Sequence, residues 1–410
     1  MNNLSYKRKE SDIMIKPSLQ QEEIANRAID WFYNSSEQTF QISGGPGTGK
    51  SFLLHYIVSK LKLKPYEVAP MTYTGAAAIV MRLKGFSNAK TMHSWLLKVM
   101  KVPKKDRNGK VIMDKYFGIP ETDIIFIPID LPEDIKLVVV DEGKMVPEPM
   151  KKLLNEQGRK VIVAGDINQL DPVGYPPAYI IDGEIHYLTE IFRQKQDSGI
   201  VWLSERIKRD YPIHCGMYTD CLVIYDNEVT DDMILGSDII LCGKNDTREK
   251  LTKRVREGLL GIETWLPQHG ERVVCRNNRW DIEVDGLNLA NGLIGNVANY
   301  PTVLSVDIDR FEIDFTPLNV NSIFNKVLIN KKYFVAPFKD KMQLKKMKHK
   351  GDLFEFAYAI TTHIAQGSEY SKGIYFEEYL NKDINKQLNY TGLTRFKDFC
   401  IYVKRKRRLY

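Results

Sequence analysis

Apolar residues recur at helical spacing from about Gln20 to Trp31, as Ile24, Ala25, Ala28, Ile29 and Phe32, and the stripe stops at the polar Asn34-Ser35-Ser36. That spacing predicts a helix ahead of a first strand, Thr39 to Ser43. A glycine-rich turn follows, and then Phe52, Leu53, Leu54, Ile57 and Val58 return to helical spacing. Three short runs, Glu67 to Met71, Lys136 to Val140 and Lys160 to Ala164, are apolar without alternation, the pattern of central strands covered on both faces. The first half therefore reads as α/β with a doubly wound parallel sheet.

Between Val99 and Asp130 no helical stripe is visible, and Arg107-Asn108-Gly109 has hairpin-turn chemistry, so a small β insertion is expected there. After Arg193 a helical stretch leads to a second apolar series, Asp238 to Cys242, Arg272 to Cys275, Tyr300 to Ile308 and Phe354 to Ile360, which predicts a second α/β unit. Alternating segments between Asn296 and Gly351, among them VLSVDIDRFEIDF and KKYFVAPF, predict strands of an inserted small β barrel or meander. No internal repeat is evident.

The 410 residues are enough for two or three domains, and 43% hydrophobic with 27% charged residues is ordinary for a globular chain. Lys+Arg number 59 against 52 Asp+Glu, a net +7 that suits a polyanionic partner without identifying one. The five cysteines (Cys215, Cys221, Cys242, Cys275, Cys400) form no C-x-x-C pair, so reduced thiols are expected rather than a zinc or redox site. The polar start, MNNLSYKRKESD, lacks the apolar stretch of a secretory signal, and the apolar runs elsewhere are strand-length. The expectation is a soluble cytoplasmic protein with no membrane partner.

Chemistry enters at Gly44 to Ser51, GGPGTGKS, which fills G-x-x-x-x-G-K-[ST] between a predicted strand and a predicted helix. Gly44, Gly47 and Gly49 let backbone amides turn around phosphate oxygens, with Gly45, Pro46 and Thr48 completing the loop. Lys50 would reach the terminal phosphates and Ser51 would ligate Mg²⁺. A metal carboxylate is then needed at the end of a neighbouring strand, and Leu137 to Val140 runs into Asp141-Glu142. Asp141 would position Mg²⁺, and Glu142 would take a proton from an attacking water, which favours hydrolysis over phosphoryl transfer to a second substrate. The next strand runs into GDINQLDPVG, where the Gln169 amide is within the expected reach of a γ-phosphate or of that water.

In order, GGPGTGKS, VVVDEGKM, GDINQLDPVG, LTEIFRQ, FAYAITTHIAQGSEY and LNYTGLTRFKD resemble motifs I to VI of the superfamily 1B DNA helicases, in particular the RecD and small bacteriophage Dda-like group. The resemblance implies two RecA-like domains in tandem, ATP and Mg²⁺ between them, and single-stranded DNA across their top. It implies Arg193 and Arg395 as the arginines that reach the γ-phosphate. Gln21, or Gln20 beside it, looks like the glutamine that reads adenine. For DNA it implies Thr72, Tyr73 and Thr74, Thr91 and His93, and Thr361, Thr362 and His363. Tyr73, His93 and Trp95 are stacking faces or core residues. Gln366, Gly367, Ser368 and Glu369 would link DNA to the nucleotide.

By the same resemblance the domains fall as 1–98 and 131–188 (1A), 99–130 (1B hairpin), 189–295 and 352–410 (2A) and 296–351 (SH3-like 2B). Phe117 or Tyr116 is a wedge at the junction or an internal contact of the insertion. Lys341 to Lys350, KMQLKKMKHK, and the terminal Lys404 to Arg408 are phosphate contacts or solvated faces. Lys144 replaces a small hydroxyl residue and would pair with Glu142, while Ala76 and Ile364 replace basic residues. The implied activity is a 5′ to 3′ translocase and helicase of replication, recombination or repair. It would act as a monomer on single-stranded and forked or tailed duplex DNA, with replication or recombination proteins as further partners. A nucleotide-gated DNA-binding factor and a P-loop kinase are the competing readings, separated by strand displacement and by the effect of DNA on turnover.

Overall fold

The computed structural model describes residues 16–113, 118–172, 174–180, 183–191, 197–303, 309–346, 351–381 and 384–405. The first predicted helix is Leu19–Asn34, opened by a capping box in which Ser18 accepts from the Gln21 amide and Gln21 returns a bond to Ser18. The strands without alternation lie in one parallel sheet, in the order Lys90–Thr91, Val68–Thr72, Leu137–Val140, Lys160–Gly165, Thr39–Gly44, Ile185–Leu188. All four residues of Leu137–Val140 are buried, because apolar clusters cover both faces of the sheet: Ile24, Leu53 and Ile57 on one, Met92, Val146 and Met150 on the other.

A second sheet runs Ala359–Thr361, Ile239–Cys242, Tyr370–Phe376, Phe396–Lys404, Cys221–Tyr225, Gly216–Tyr218, parallel except for the last pair. The architecture is therefore α/β, two RecA-like units in tandem.

Leu97–Pro103 and Thr122–Pro128 form an antiparallel hairpin out of the first unit. Its outer turn holds Gly109 at φ +80, and the Asp106 carboxylate accepts from the amides of Asn108 and Lys110. Tyr116 and Phe117 lie outside the described residues.

The third sheet, antiparallel, corrects three expectations. It runs Thr302–Val303, Arg310–Pro317, Ile294–Val297, Arg272–Cys275, Phe354–Phe356, with Phe324–Asn330 on Arg310–Pro317. Arg272–Cys275 thus belongs to the inserted barrel and not to the second parallel sheet, since four apolar residues read alike in either setting. The run Phe354 to Ile360 splits, Phe354–Phe356 joining the barrel and Ala359–Thr361 the parallel sheet. Part of KKYFVAPF is helix, Lys331–Val335, because Asn330 caps it by accepting from the Tyr333 amide at 2.8 Å. A second helix, Phe338–Lys346, follows. A hairpin, Arg279–Val284 with Leu287–Leu289, leaves the barrel toward the first unit. Among the described residues no helix is long and apolar enough to cross a membrane, and no group of three or more His, Cys, Asp or Glu could hold a metal. All five cysteines are free thiols.

Candidate active site

The phosphate loop lies between Thr39–Gly44 and the helix Lys50–Lys60. Gly47 (φ +78) and Gly49 (φ +80) are left-handed, a conformation that side chains disfavour, and the turn they make aims the helix N-terminus into the loop. A Cβ on Gly44 would come within 2.5 Å of Thr48 Oγ1, so the loop can close only over a glycine there. Thr48 Oγ1 donates to the Gly45 carbonyl at 2.9 Å, and Lys50 Nζ donates to the carbonyls of Gly44 (2.7 Å) and Gly45 (3.1 Å). Lys50 is thereby held over the loop that would receive phosphates. Ser51 follows in the first helical turn.

Of the two candidate glutamines, Gln21 is the buried one. Its Nε2 donates to the Thr48 carbonyl at 3.2 Å, tying the first helix to the phosphate loop. Gln20 instead donates to Thr189 Oγ1 at 2.9 Å and accepts from the amides of Thr189 and Glu190, which fixes the start of LTEIFRQ. Gly44, Gly45, Pro46 and Thr48 form one wall of a cavity of about 440 Å³, and Ser204 and Lys208 of the helix Gly199–Lys208 stand on another. A cleft with phosphate-loop backbone on one side and the second unit on the other fits a nucleotide.

Asp141 and Glu142 follow Leu137–Val140. Asp141 Oδ1 accepts from the Glu142 amide at 2.9 Å, and Glu142 is left-handed (φ +53), a strained backbone that turns its side chain away from the strand. A hydroxyl, Ser51, and a carboxylate, Asp141, are the hard oxygen donors that suit Mg²⁺, which takes its remaining ligands from phosphates and water. Burial raises the Glu142 carboxyl above its ordinary pKa; Arg395 opposes that rise and Asp141 adds to it.

Gln169 joins these groups. Its amide donates to Glu142 Oε2 at 3.2 Å and accepts from Arg395 Nη2 at 3.1 Å, the orientation that satisfies both partners. Arg395 Nη1 stands 3.8 Å from Glu142 Oε1. Arg395 comes from the helix end of the second unit, is 4% exposed, and is aimed by the carbonyls of Thr391 (3.2 Å) and Ser368 (3.3 Å). Carboxylate, amide and guanidinium thus meet across the boundary between the two units. Lys144 does not pair with Glu142: it donates to the carbonyls of Ile167 (2.7 Å) and Gln169 and pairs with Asp171 at 2.8 Å, so it props the loop that presents Gln169. Arg193 lies outside the described residues.

Gly367 and Glu369 do not line the 440 Å³ cavity. Gly367 (φ +79) packs on the helix that follows Thr74, where a Cβ would come within 2.9 Å of Thr74 Oγ1 and Ala77 Cβ. Glu369 pairs with Lys84 at 2.7 Å and with Lys397. Burial alone would raise its carboxyl, but Lys84 and Lys397 overcome that and hold it at about 2.

A larger cavity, about 1020 Å³, separates the two units and the barrel; its wall includes Tyr73, Thr74, His93, Thr361 and His363. Ala76 and Ile364 line it too, leaving those positions of the wall uncharged. Three other predicted hydroxyls turn inward. Thr72 donates to the Thr74 carbonyl (2.9 Å), Thr91 caps a helix by accepting from the Ser94 amide (3.2 Å), and Thr362 donates to the Cys242 carbonyl (3.2 Å). All three are at most 2% exposed, and their hydroxyls hold the backbone that carries the wall. Trp95 anchors to the Pro70 carbonyl through Nε1 at 3.0 Å. His93 stacks on Trp280 of the barrel hairpin, ring centroids 4.2 Å apart, and burial lowers its pKa to about 4.

Sequence reasoning passed over Tyr390, Thr391, Lys84 and Trp280. Tyr390 donates to Asp166 at 2.6 Å and Thr391 Oγ1 accepts from the Leu170 amide at 2.8 Å, both across the boundary. Their place inside LNYTGLTRFKD beside Arg395 was the available signal; Lys84 and Trp280 had none.

The AAA domain family matches residues 20–221. An ATP-dependent DNA helicase Pif1 of Psychrobacter is 27% identical over 181 residues, 38% of this chain and 25% of that relative, so the match spans a quarter of its length. Two solved structures share the fold. A Bacteroides Pif1 helicase in complex with ADP-AlF3 and ssDNA has a TM-score of 0.52 at 14% identity, with 94% of this chain and 92% of that one covered. A structure concerned with DNA unwinding at forked dsDNA by two coordinating Pif1 helicases has a TM-score of 0.52 at 17% identity, with 95% and 92% covered.

Proposed function

We propose, from the premise that the chain belongs to the Pif1-like superfamily 1B helicases, that it hydrolyses Mg-ATP to move along single-stranded DNA and to unwind duplex DNA. The observation that carries this reading is the contact of Arg395 with Glu142 and Gln169 across the boundary between the two units. Lys50 and the loop amides would hold the phosphates, and Ser51 and Asp141 the metal. Glu142 would accept the proton of the attacking water. Arg395 would stabilise charge on the transferring phosphoryl group, as arginines supplied from a second body do in related enzymes. Because Arg395 belongs to the second unit, hydrolysis requires the two units to close.

The strand would run through the larger cavity, past Tyr73, Thr74 and His93 on one side and Thr361 and His363 on the other. Arg193 would be a second arginine for the γ-phosphate, on the strength of the LTEIFRQ resemblance. Polarity 5′ to 3′, forked or tailed duplex DNA as substrate, action as a monomer, and a role in replication, recombination or repair complete the proposal.

Two partial duplexes with opposite single-stranded tails, incubated with and without ATP and Mg²⁺, test activity and direction together. Displacement from the 5′-tailed substrate is expected; displacement from the 3′-tailed one alone would reverse the polarity. Lys50→Ala is expected to abolish turnover and leave the fold intact, because the bonds of Lys50 stay within its own loop. Unchanged ATPase in that variant would refute the assignment.

A further inference from the structure

The inserted barrel brings cations together on the wall of the larger cavity. At their centre is Glu355, 3% exposed. It pairs with Arg248 of the helix Asn245–Lys253, with Arg276 Nε at 3.2 Å, and with Lys341 Nζ at 3.4 Å, and it accepts from the Tyr333 hydroxyl at 3.1 Å. One carboxylate therefore serves three cations. Lys345, one turn beyond Lys341 on the helix Phe338–Lys346, adds a fourth, and it makes no ion pair with a described residue. Asp246 lies on the same wall and Glu249 attracts Lys341, but the balance stays positive, since Lys244 also faces the cavity.

This surplus is costly where it stands. Burial, with Arg248 adding repulsion, lowers the Lys341 ammonium below its ordinary pKa, and burial with repulsion from Arg276 does the same to Lys345. Cations gathered at a partly desolvated wall need a counter-anion, and here it can only enter from the cavity. The cavity is also lined by the aromatic faces of Tyr73, His93 and Trp280. A polyanion with flat apolar faces is a single-stranded nucleic acid.

We infer that Arg276, Lys341 and Lys345 form a backbone-phosphate site for the single strand, in which the helix Phe338–Lys346, inserted into the barrel, supplies the cations. Glu355 is not part of the recognition; it gathers and orients Arg276 and Lys341. The helix packs against Asn245–Lys253 of the second parallel unit, so this grip on the strand travels with that unit. The site rests on the proposed function, since it presumes that a strand occupies the cavity.

The test is anisotropy of a fluorescein-labelled oligothymidylate titrated with full-length protein between about 50 and 200 mM NaCl. Lys345→Ala is expected to weaken binding roughly three- to tenfold and to make the log–log salt slope shallower by about 0.7, the release for one single-strand phosphate contact. Lys345→Arg should restore both. Arg276→Gln should lower the slope by a similar amount; because it also disturbs the Glu355 cluster, melting temperatures are measured alongside for every variant, and Lys345, which pairs with no described residue, provides the arm least tied to the Glu355 cluster. If the wild type binds the oligonucleotide and Lys345→Ala matches it in affinity and slope, the site is overturned while the helicase reading stands. If the wild type binds no single strand at any salt, the helicase reading fails and this site fails with it.

Discussion

The Gln366 side-chain amide donates to the Leu170 carbonyl at 2.9 Å, and Gln366 also lines the larger cavity. On the other side of the same residue, the Leu170 amide donates to Thr391 Oγ1 at 2.8 Å. Both polar groups of Leu170 are thus gripped by the second unit, one residue from the Gln169 amide that spans Glu142 and Arg395. On the proposed reading, a strand that displaced Gln366 would move the loop that presents Gln169 to Glu142 and Arg395. Gln366→Ala is therefore expected to lower the ratio of DNA-stimulated to unstimulated ATPase roughly fivefold or more, the scale of a coupling free energy of about 1–3 kcal/mol. A ratio equal to wild type would show that the Leu170 grip carries no signal.

As the proposed base, Glu142 should set the acid side of the pH profile. As a base it must be ionised, and burial holds its pKa above the ordinary value, so turnover should climb as pH rises through that raised pKa. Arg395 is the foremost group pulling the pKa down. Arg395→Ala should move the acid limb to higher pH in addition to slowing turnover by roughly 10³-fold or more, whereas Arg395→Lys keeps the charge and should move it less. Single-turnover hydrolysis at saturating ATP from pH 5 to 9 separates limb from amplitude. An acid limb that does not move in Arg395→Ala would remove Glu142 from the role of base.

What could be read from the chain depended on whether chemistry or context fixed it. GGPGTGKS and Asp141-Glu142 announce themselves, since phosphate-binding backbone demands glycines at set positions and a metal demands an acid at a strand end. Arg395 was reachable only by resemblance, because nothing local distinguishes a guanidinium that meets Glu142 across the boundary from one on a solvated face. Thr72, Thr91 and Thr362 show the converse. A hydroxyl at a loop end can turn to a strand or to its own backbone, and that direction is decided by the fold. The barrel's limits were missed because Arg272–Cys275 has no periodicity of its own; only its antiparallel partners Ile294–Val297 and Phe354–Phe356 assign it.

The stack of His93 on Trp280 joins the first unit to the barrel hairpin, and Arg82 reinforces it by donating to the carbonyls of Asp285 (2.8 Å) and Gly286 (2.9 Å). His93 has a pKa of about 4 in the fold, against 6.5 for a free histidine. Between those values the unfolded chain binds the proton first. The stability due to neutral His93 is thus fully present above pH 6.5 and is lost progressively as pH falls toward 4. Melting temperatures from pH 7.5 to 4.5 should decline less steeply in His93→Phe, which keeps a stacking face and cannot titrate. Identical slopes in the two proteins would place the acid sensitivity elsewhere.

Arg256 holds the chain where it passes from the second unit into the barrel. It is 5% exposed and pairs with Glu271, itself 6% exposed, through Nε at 2.8 Å and Nη2 at 3.1 Å. The remaining guanidinium hydrogens reach the carbonyls of Ile262, Thr264 and Leu266, so one side chain closes the loop from the helix to the strand Arg272–Cys275. Removing one partner leaves the other charge buried and the carbonyls without a donor, a loss of about 3–5 kcal/mol for such a pair. Arg256→Ala should therefore lower the urea midpoint substantially. The double variant Arg256→Met with Glu271→Gln, which takes out both charges and keeps an acceptor for the Gln268 amide and the Tyr358 hydroxyl, should recover the part of it due to the unpaired charge. If the double variant is no more stable than Arg256→Ala, an unpaired Glu271 charge is not what the single variant suffers from.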